Sequence, residues 1–255
     1  MKIQVQLNRS YRLLLFVLLL VFVCCGCGTA TATGSQTAPV NRVMPTRDAQ
    51  PVSGQQLLGD GPVTYIALGA SDAVGVGSSK PSSQGYVPLI AQRLPKGSRL
   101  VNLGISGARL HQAMQQELPI ALSTSPKLVT IWLVVNDFVG GVSYDSYMRG
   151  LDSLLKQLRA GTHARIVMGN IPDLTRPPSF AKLSAEQKAK MLVGIKRWNA
   201  NINLLGAQYH VSIVDLFAQE SQLTAHPEYV SGDGFHPSVA GYRQLANSFW
   251  AVIAS

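Results

Sequence analysis

From about residue 60 onward, the apolar positions of the chain fall into two alternating patterns. Short runs dense in Val, Ile and Leu occur at Val63–Leu68, Leu100–Leu103, Leu128–Val135, Arg165–Met168 and Val211–Val214. Such nearly continuous apolarity over so few residues predicts strands covered on both faces. Between the runs the spacing becomes helical. Tyr147, Leu151, Leu154, Leu155 and Leu158 follow one face behind Ser143, a candidate N-cap, with Gly161 as a candidate stop. Ser184 and Gln187 have the spacing of a capping box, and Met191, Leu192, Ile195, Trp198, Ile202 and Leu205 then form a single stripe. A last helix is predicted with Pro237 in its first turn, followed by Val239, Tyr242, Leu245, Phe249, Trp250 and Ile253. Five strands alternating with helices predict a mostly parallel five-stranded sheet inside a three-layer α/β/α sandwich, because parallel neighbours require a crossover. In such a sheet, chemistry belongs beyond the carboxyl ends of the strands.

The first sixty residues read differently. Leu13–Val23 is an uninterrupted apolar run with Lys2, Arg9 and Arg12 upstream and Cys24, Cys25, Gly26 and Cys27 downstream. Even extended through Cys25 it falls short of the roughly 20 residues a spanning helix needs, so an export signal is the better reading. The segment resembles a bacterial lipoprotein signal. That resemblance implies lipid modification at Cys27, with Cys25 as the alternative, and an exported, extracytoplasmic domain anchored to the cell membrane. The bland reading is a set of small residues closing a plain signal. Residues 28–60 are rich in Thr, Ala, Gly, Ser, Pro and Gln without apolar periodicity, which predicts a flexible tether. The expected division is therefore signal 1–27, tether 28–60 and one domain at 61–255.

Composition supports a single core: 46% of the 255 residues are hydrophobic and 14% charged. The net charge of +9 invites a nucleic-acid reading, but without Lys2, Arg9 and Arg12 there remain 19 basic against 13 acidic side chains and no basic block. No nucleic-acid partner is expected. All three cysteines lie at the end of the apolar run, so the domain contains none and holds no internal disulfide.

Candidate chemistry sits at the predicted strand ends. Gly69-Ala70-Ser71-Asp72 follows the first strand, where a serine flanked by small residues can present its hydroxyl on a sharp turn. Gly104 follows the second strand and Asn136-Asp137 the third; a backbone N–H and a side-chain amide are the parts of an oxyanion hole. Singly, each is also ordinary turn or cap material. Near the C-terminus, Asp233 and His236 stand three residues apart, a spacing at which the carboxylate can accept the imidazole Nδ1–H. His111, His163, His210 and His226 are assigned structural or surface roles, and Trp132 and Trp198 core ones. Asp173 is left between pocket lining and turn formation.

In this order, the four blocks resemble the SGNH, or GDSL-type, esterase/lipase family. The resemblance implies a flavodoxin-like hydrolase fold and a serine esterase. Ser71, Asp233 and His236 would be its catalytic residues, and Ser71, Gly104 and Asn136 its oxyanion hole. Two departures stand out: Ala70 where the family usually has Asp, and Val134 where it usually has Gly. The implied substrate is a small-molecule, lipid or glycan ester, with no cofactor and no metal, since the Asp and His positions show no ligand spacing. A carbohydrate O-deacetylase or acyltransferase using the same triad is an alternative. A second alternative, of another class, is a non-catalytic tethered binding module, whose signature would be loss of Ser71, Asp233 or His236.

Overall fold

A computed structural model describes residues 59, 61–219 and 225–255, all within a structural unit spanning Ala49–Ser255. The predicted signal, its cysteines and nearly all of the tether lie outside the described residues. The chain runs β1 (Thr64–Gly69), α1 (Ser71–Val74), α2 (Pro81–Gln84), α3 (Tyr86–Ala91), β2 (Arg99–Asn102), α4 (Leu110–Gln116), α5 (Leu118–Ser123) and β3 (Leu128–Trp132). It continues through α6 (Val135–Val139), α7 (Tyr144–Gly161), β4 (Arg165–Gly169), α8 (Ala185–Gln208), β5 (Ser212–Val214) and α9 (Val239–Ala254). Every strand pairing is parallel, in the order β2-β1-β3-β4-β5. The fold is thus an α/β sandwich with β1 and β3 at its centre. All five residues of β3 are buried, as are all but Thr64 of β1, which is why these strands read as continuous apolar runs. The one polar pair between them is satisfied internally: Tyr65 Oη and Thr130 Oγ1 lie 2.8 Å apart.

Helices α3 and α9 pack together on one face, while α4, α5, α7 and α8 pack in succession on the other. In α7 the Ser143 hydroxyl accepts the Ser146 N–H, and Tyr147, Met148, Leu151, Leu154, Leu155 and Leu158 are buried. Gly161 is the last helical residue, and Thr162 closes the end by donating its hydroxyl to the Leu158 carbonyl at 2.9 Å. The Ser184–Gln187 capping box is present at the start of α8. Its buried stripe holds Ile195, Trp198 and Ile202 but also Asn199, whereas Met191, Leu192 and Leu205 are only half-buried.

Two predicted boundaries move by more than one residue. The third strand ends at Trp132, because the chain turns into α6 while Leu133 and Val134 remain buried; apolarity continues where the strand does not. Pro237 stands outside the last helix. Ser238 is the N-cap, accepting the Gly241 N–H, and Pro237 forms an isolated antiparallel bridge with Val230 that shapes the preceding loop.

Candidate active site

Ser71 opens α1 immediately beyond β1, and it is 6% exposed. Its Oγ lies 2.9 Å from His236 Nε2, and His236 Nδ1 lies 2.6 Å from Asp233 Oδ2. The other carboxylate oxygen of Asp233 accepts three donors: the Ser231 hydroxyl at 2.8 Å and the N–H groups of Phe235 at 2.8 Å and His236 at 2.9 Å. Burial disfavours the Asp233 charge, but these hydrogen bonds outweigh it and hold the carboxyl well below the usual carboxylate range. The side chain is therefore a fixed anion aimed at Nδ1. Ser231 escaped the sequence reading, although a serine two residues before an aspartate is a recognisable turn signal. Phe235 stands edge-on to the imidazole at 5.1 Å.

The donors expected opposite the serine are arranged less simply. Asn136 occupies the first turn of α6 and donates one amide hydrogen to the Ala108 carbonyl at 2.9 Å, which leaves the second hydrogen of the amide. Its neighbour Asp137 is buried and accepts the Leu110 N–H at 2.8 Å, fixing the start of α4; burial raises its carboxyl, against that hydrogen bond and the charge of Arg109. Together the two side chains staple the turn 106–110 to α6. Gly104 is committed elsewhere. Its N–H donates to Asn102 Oδ1 at 3.1 Å, and the same Asn102 amide donates to the Ala73 carbonyl at 2.6 Å. A Cβ on Gly104 would meet Ala73 Cβ at 2.7 Å, so this glycine serves close packing against α1. The Gly107 N–H, by contrast, has no protein acceptor among the described residues; this glycine precedes Ala108 and has φ +78° with nothing within 4 Å of where a Cβ would stand.

A carboxyl the sequence reading passed over supports the turn from behind. Glu117, 1% exposed, accepts the Gly69 N–H at 2.9 Å on one oxygen, and its other oxygen has no partner. Burial pushes it up to about 8, with the Gly69 hydrogen bond opposing. Asp72, next to the serine, is also raised, to about 6, by burial against the opposing charge of His236. Asp173 forms a turn: it accepts the Thr175 N–H at 2.9 Å and hydroxyl at 2.6 Å, and pairs with Arg176 at 2.9 Å. His226 pairs with Glu228 at 2.8 Å and stacks on Tyr229, with no hydrogen bond to the triad. Among the described residues there is no cluster of His, Cys, Asp and Glu that could hold a metal ion.

Two depressions flank α6. An apolar cavity of about 130 Å³ is lined by Asp72, Val135, Phe235 and Pro237 and extends between the loops after β4 and β5. A more polar groove of about 520 Å³, with Gly107, Arg109, His111 and Asp137 in its wall beside Leu110 and Met114, lies on the other side.

A parallel α/β/α sheet that presents a hydrogen-bonded Ser-His-Asp array beyond its strand ends has the arrangement of a serine hydrolase. The family model for GDSL-like lipases and acylhydrolases matches residues 67–244, and the chain belongs to that family. It is an ester-bond hydrolase. Among solved structures it is similar to TesA, at 26% identity over 74% of this chain and 97% of that one, with a TM-score of 0.60. It is also similar to Axe2, an acetylxylan esterase from Geobacillus stearothermophilus (20% identity, 77% and 96% covered, TM-score 0.58). A third is the psychrotrophic esterase EstA from Pseudoalteromonas sp. (18%, 74% and 96%, 0.56). The last two likenesses speak to the fold alone. No curated relative matches the chain.

Proposed function

We propose that the protein is a serine esterase that hydrolyses carboxylic esters through an acyl-enzyme on Ser71. The observation that carries this reading is the continuous line from Ser71 Oγ to His236 Nε2 at 2.9 Å and from His236 Nδ1 to Asp233 at 2.6 Å. His236 takes the Ser71 proton as the oxygen attacks the ester carbonyl, and Asp233 orients the imidazole and stabilises the imidazolium. The oxyanion is met by the Ser71 N–H and the free amide hydrogen of Asn136. Gly107 supplies the further backbone N–H in place of Gly104, whose own is held by Asn102. The alcohol leaves with the proton from His236, and water then cleaves the acyl-enzyme by the reverse route.

The test is hydrolysis of a panel of p-nitrophenyl esters by the wild-type chain and by Ser71→Ala. Turnover by the wild type alone supports the reading, and equal rates overturn it. We further propose that the enzyme is exported and held at the membrane by a lipid on Cys27. The support is the charged, apolar and small-residue order of Lys2 to Cys27.

A further inference from the structure

We propose that the apolar cavity beside the triad receives the acyl group of the substrate and admits roughly four to six carbons. The inference rests on the ester-hydrolase reading and names its substrate class as short- to medium-chain acyl esters. The cavity is lined by the immediate chain neighbours of the reacting groups: Asp72 follows Ser71, Val135 precedes Asn136, and Phe235 and Pro237 flank His236. An acyl chain on Ser71 can therefore enter it without crossing the polar groove. Its remaining walls are mainly apolar, among them Trp132, Leu174, Leu216 and Leu245, with Gln219 and Gln244 as polar exceptions. These are surfaces that reward methylene groups and offer the hydroxyls of a sugar few partners.

Volume sets the length. Trp132 and Leu216 both pack on the Gly169 backbone, where an added Cβ would lie 2.9 Å from Trp132 Cδ1 and 3.2 Å from Leu216 Cδ1. The indole cannot swing aside freely: its N–H donates to the Asn170 carbonyl at 3.1 Å, and Tyr86 stands edge-on to it at 6.2 Å. The Asn170 side chain in turn accepts the Leu216 N–H at 2.8 Å, so both walls are tied to one residue. A dry cavity of about 150 Å³ accommodates benzene, so about 130 Å³ holds roughly four to six carbons. A longer chain must leave part of itself outside.

The experiment is kcat/KM for p-nitrophenyl acetate, butyrate, hexanoate, octanoate, decanoate and dodecanoate, the leaving group being constant. It is run on the wild-type chain, on Leu216→Ala, which deepens the cavity, and on Leu174→Phe, which fills it. Butyrate or hexanoate should exceed acetate by about tenfold or more, and decanoate should fall back by a similar factor. Leu216→Ala should move the maximum to longer chains and Leu174→Phe to shorter ones; folding of each is checked by thermal unfolding, and either shift suffices. A maximum at acetate, a rate still rising at dodecanoate, or a profile unmoved in both folded variants overturns the inference alone. Absence of turnover across the whole wild-type series overturns the esterase reading and this inference with it.

Discussion

Ser71 and His236 are 165 positions apart in the chain, yet their Oγ and Nε2 atoms meet at 2.9 Å. Ser71→Ala removes the attacking oxygen and should lower kcat by about 10⁴–10⁶ while leaving the fold intact. Asp233→Asn keeps the shape but leaves Nδ1 facing an amide, and a loss of about 10⁴ is expected. Both are read from steady-state kinetics with circular dichroism as the folding control.

Asn136→Ala deletes one of the three oxyanion donors proposed above. A fall of about 10²–10³ in kcat is expected, with KM changed much less, because the contact forms as charge develops on the oxygen. A KM effect with kcat unchanged would show that Asn136 binds the ground state instead.

The Glu117 carboxyl, ordinarily near 4.5, is pushed up to about 8 by burial. A folded-state value above the unfolded one means that its contribution to stability is complete below about pH 4.5 and is lost as the pH climbs towards 8. Glu117→Gln keeps an oxygen for the Gly69 N–H and abolishes that loss. The variant should match the wild type near pH 4 and exceed it at pH 8 by about 2–4 kcal/mol, from about 1.4 kcal/mol per unit of displacement. Urea unfolding at the two pH values measures the difference, and a gain of the same size at both would sink the explanation.

Asn199, buried in α8, accepts the Ile171 N–H at 2.9 Å and donates to the Ile171 carbonyl at 2.8 Å. Asn199→Ala strands both backbone groups and should cost about 2–4 kcal/mol. Because Pro172 and Leu174 of the cavity wall follow directly, it should also blunt the preference among acyl chains. Chemical denaturation and the p-nitrophenyl ester series check the two effects separately.

Cys27→Ser should release the protein from sedimented membranes into the soluble fraction. Retention of that variant together with release of Cys25→Ser would move the lipid to Cys25, and retention of both would argue against a cysteine-borne anchor.

What was legible in the sequence was local. The alternation of apolar runs and helical stripes anticipates the parallel sheet, since burial on both faces writes itself into β1 and β3. The three-residue spacing of Asp233 and His236 similarly carries its meaning within one turn. Contacts between distant segments leave no such trace. Glu117 reaches Gly69 across 48 positions and Asn199 reaches Ile171 across 28, and neither stands out among its neighbours. The end of β3 is hidden because Leu133 and Val134 stay buried after the backbone has turned. That the Gly104 N–H is held by Asn102 depends on where one N–H points, which composition does not record.

The placement of Val135, Asn136 and Asp137 on a single turn has an evolutionary consequence. One residue faces the apolar cavity, the next holds the turn at Ala108 and the third faces the polar groove, so an insertion or deletion here would disturb all three at once. Leu174 in the loop after β4 and Leu216 directly after β5 make no hydrogen bond to Ser71, His236 or Asp233, although Asp233 and His236 lie further along the segment after β5. New acyl preferences can therefore arise by drift at those two wall positions while the reacting groups stay fixed, and a designer seeking other esters should start there.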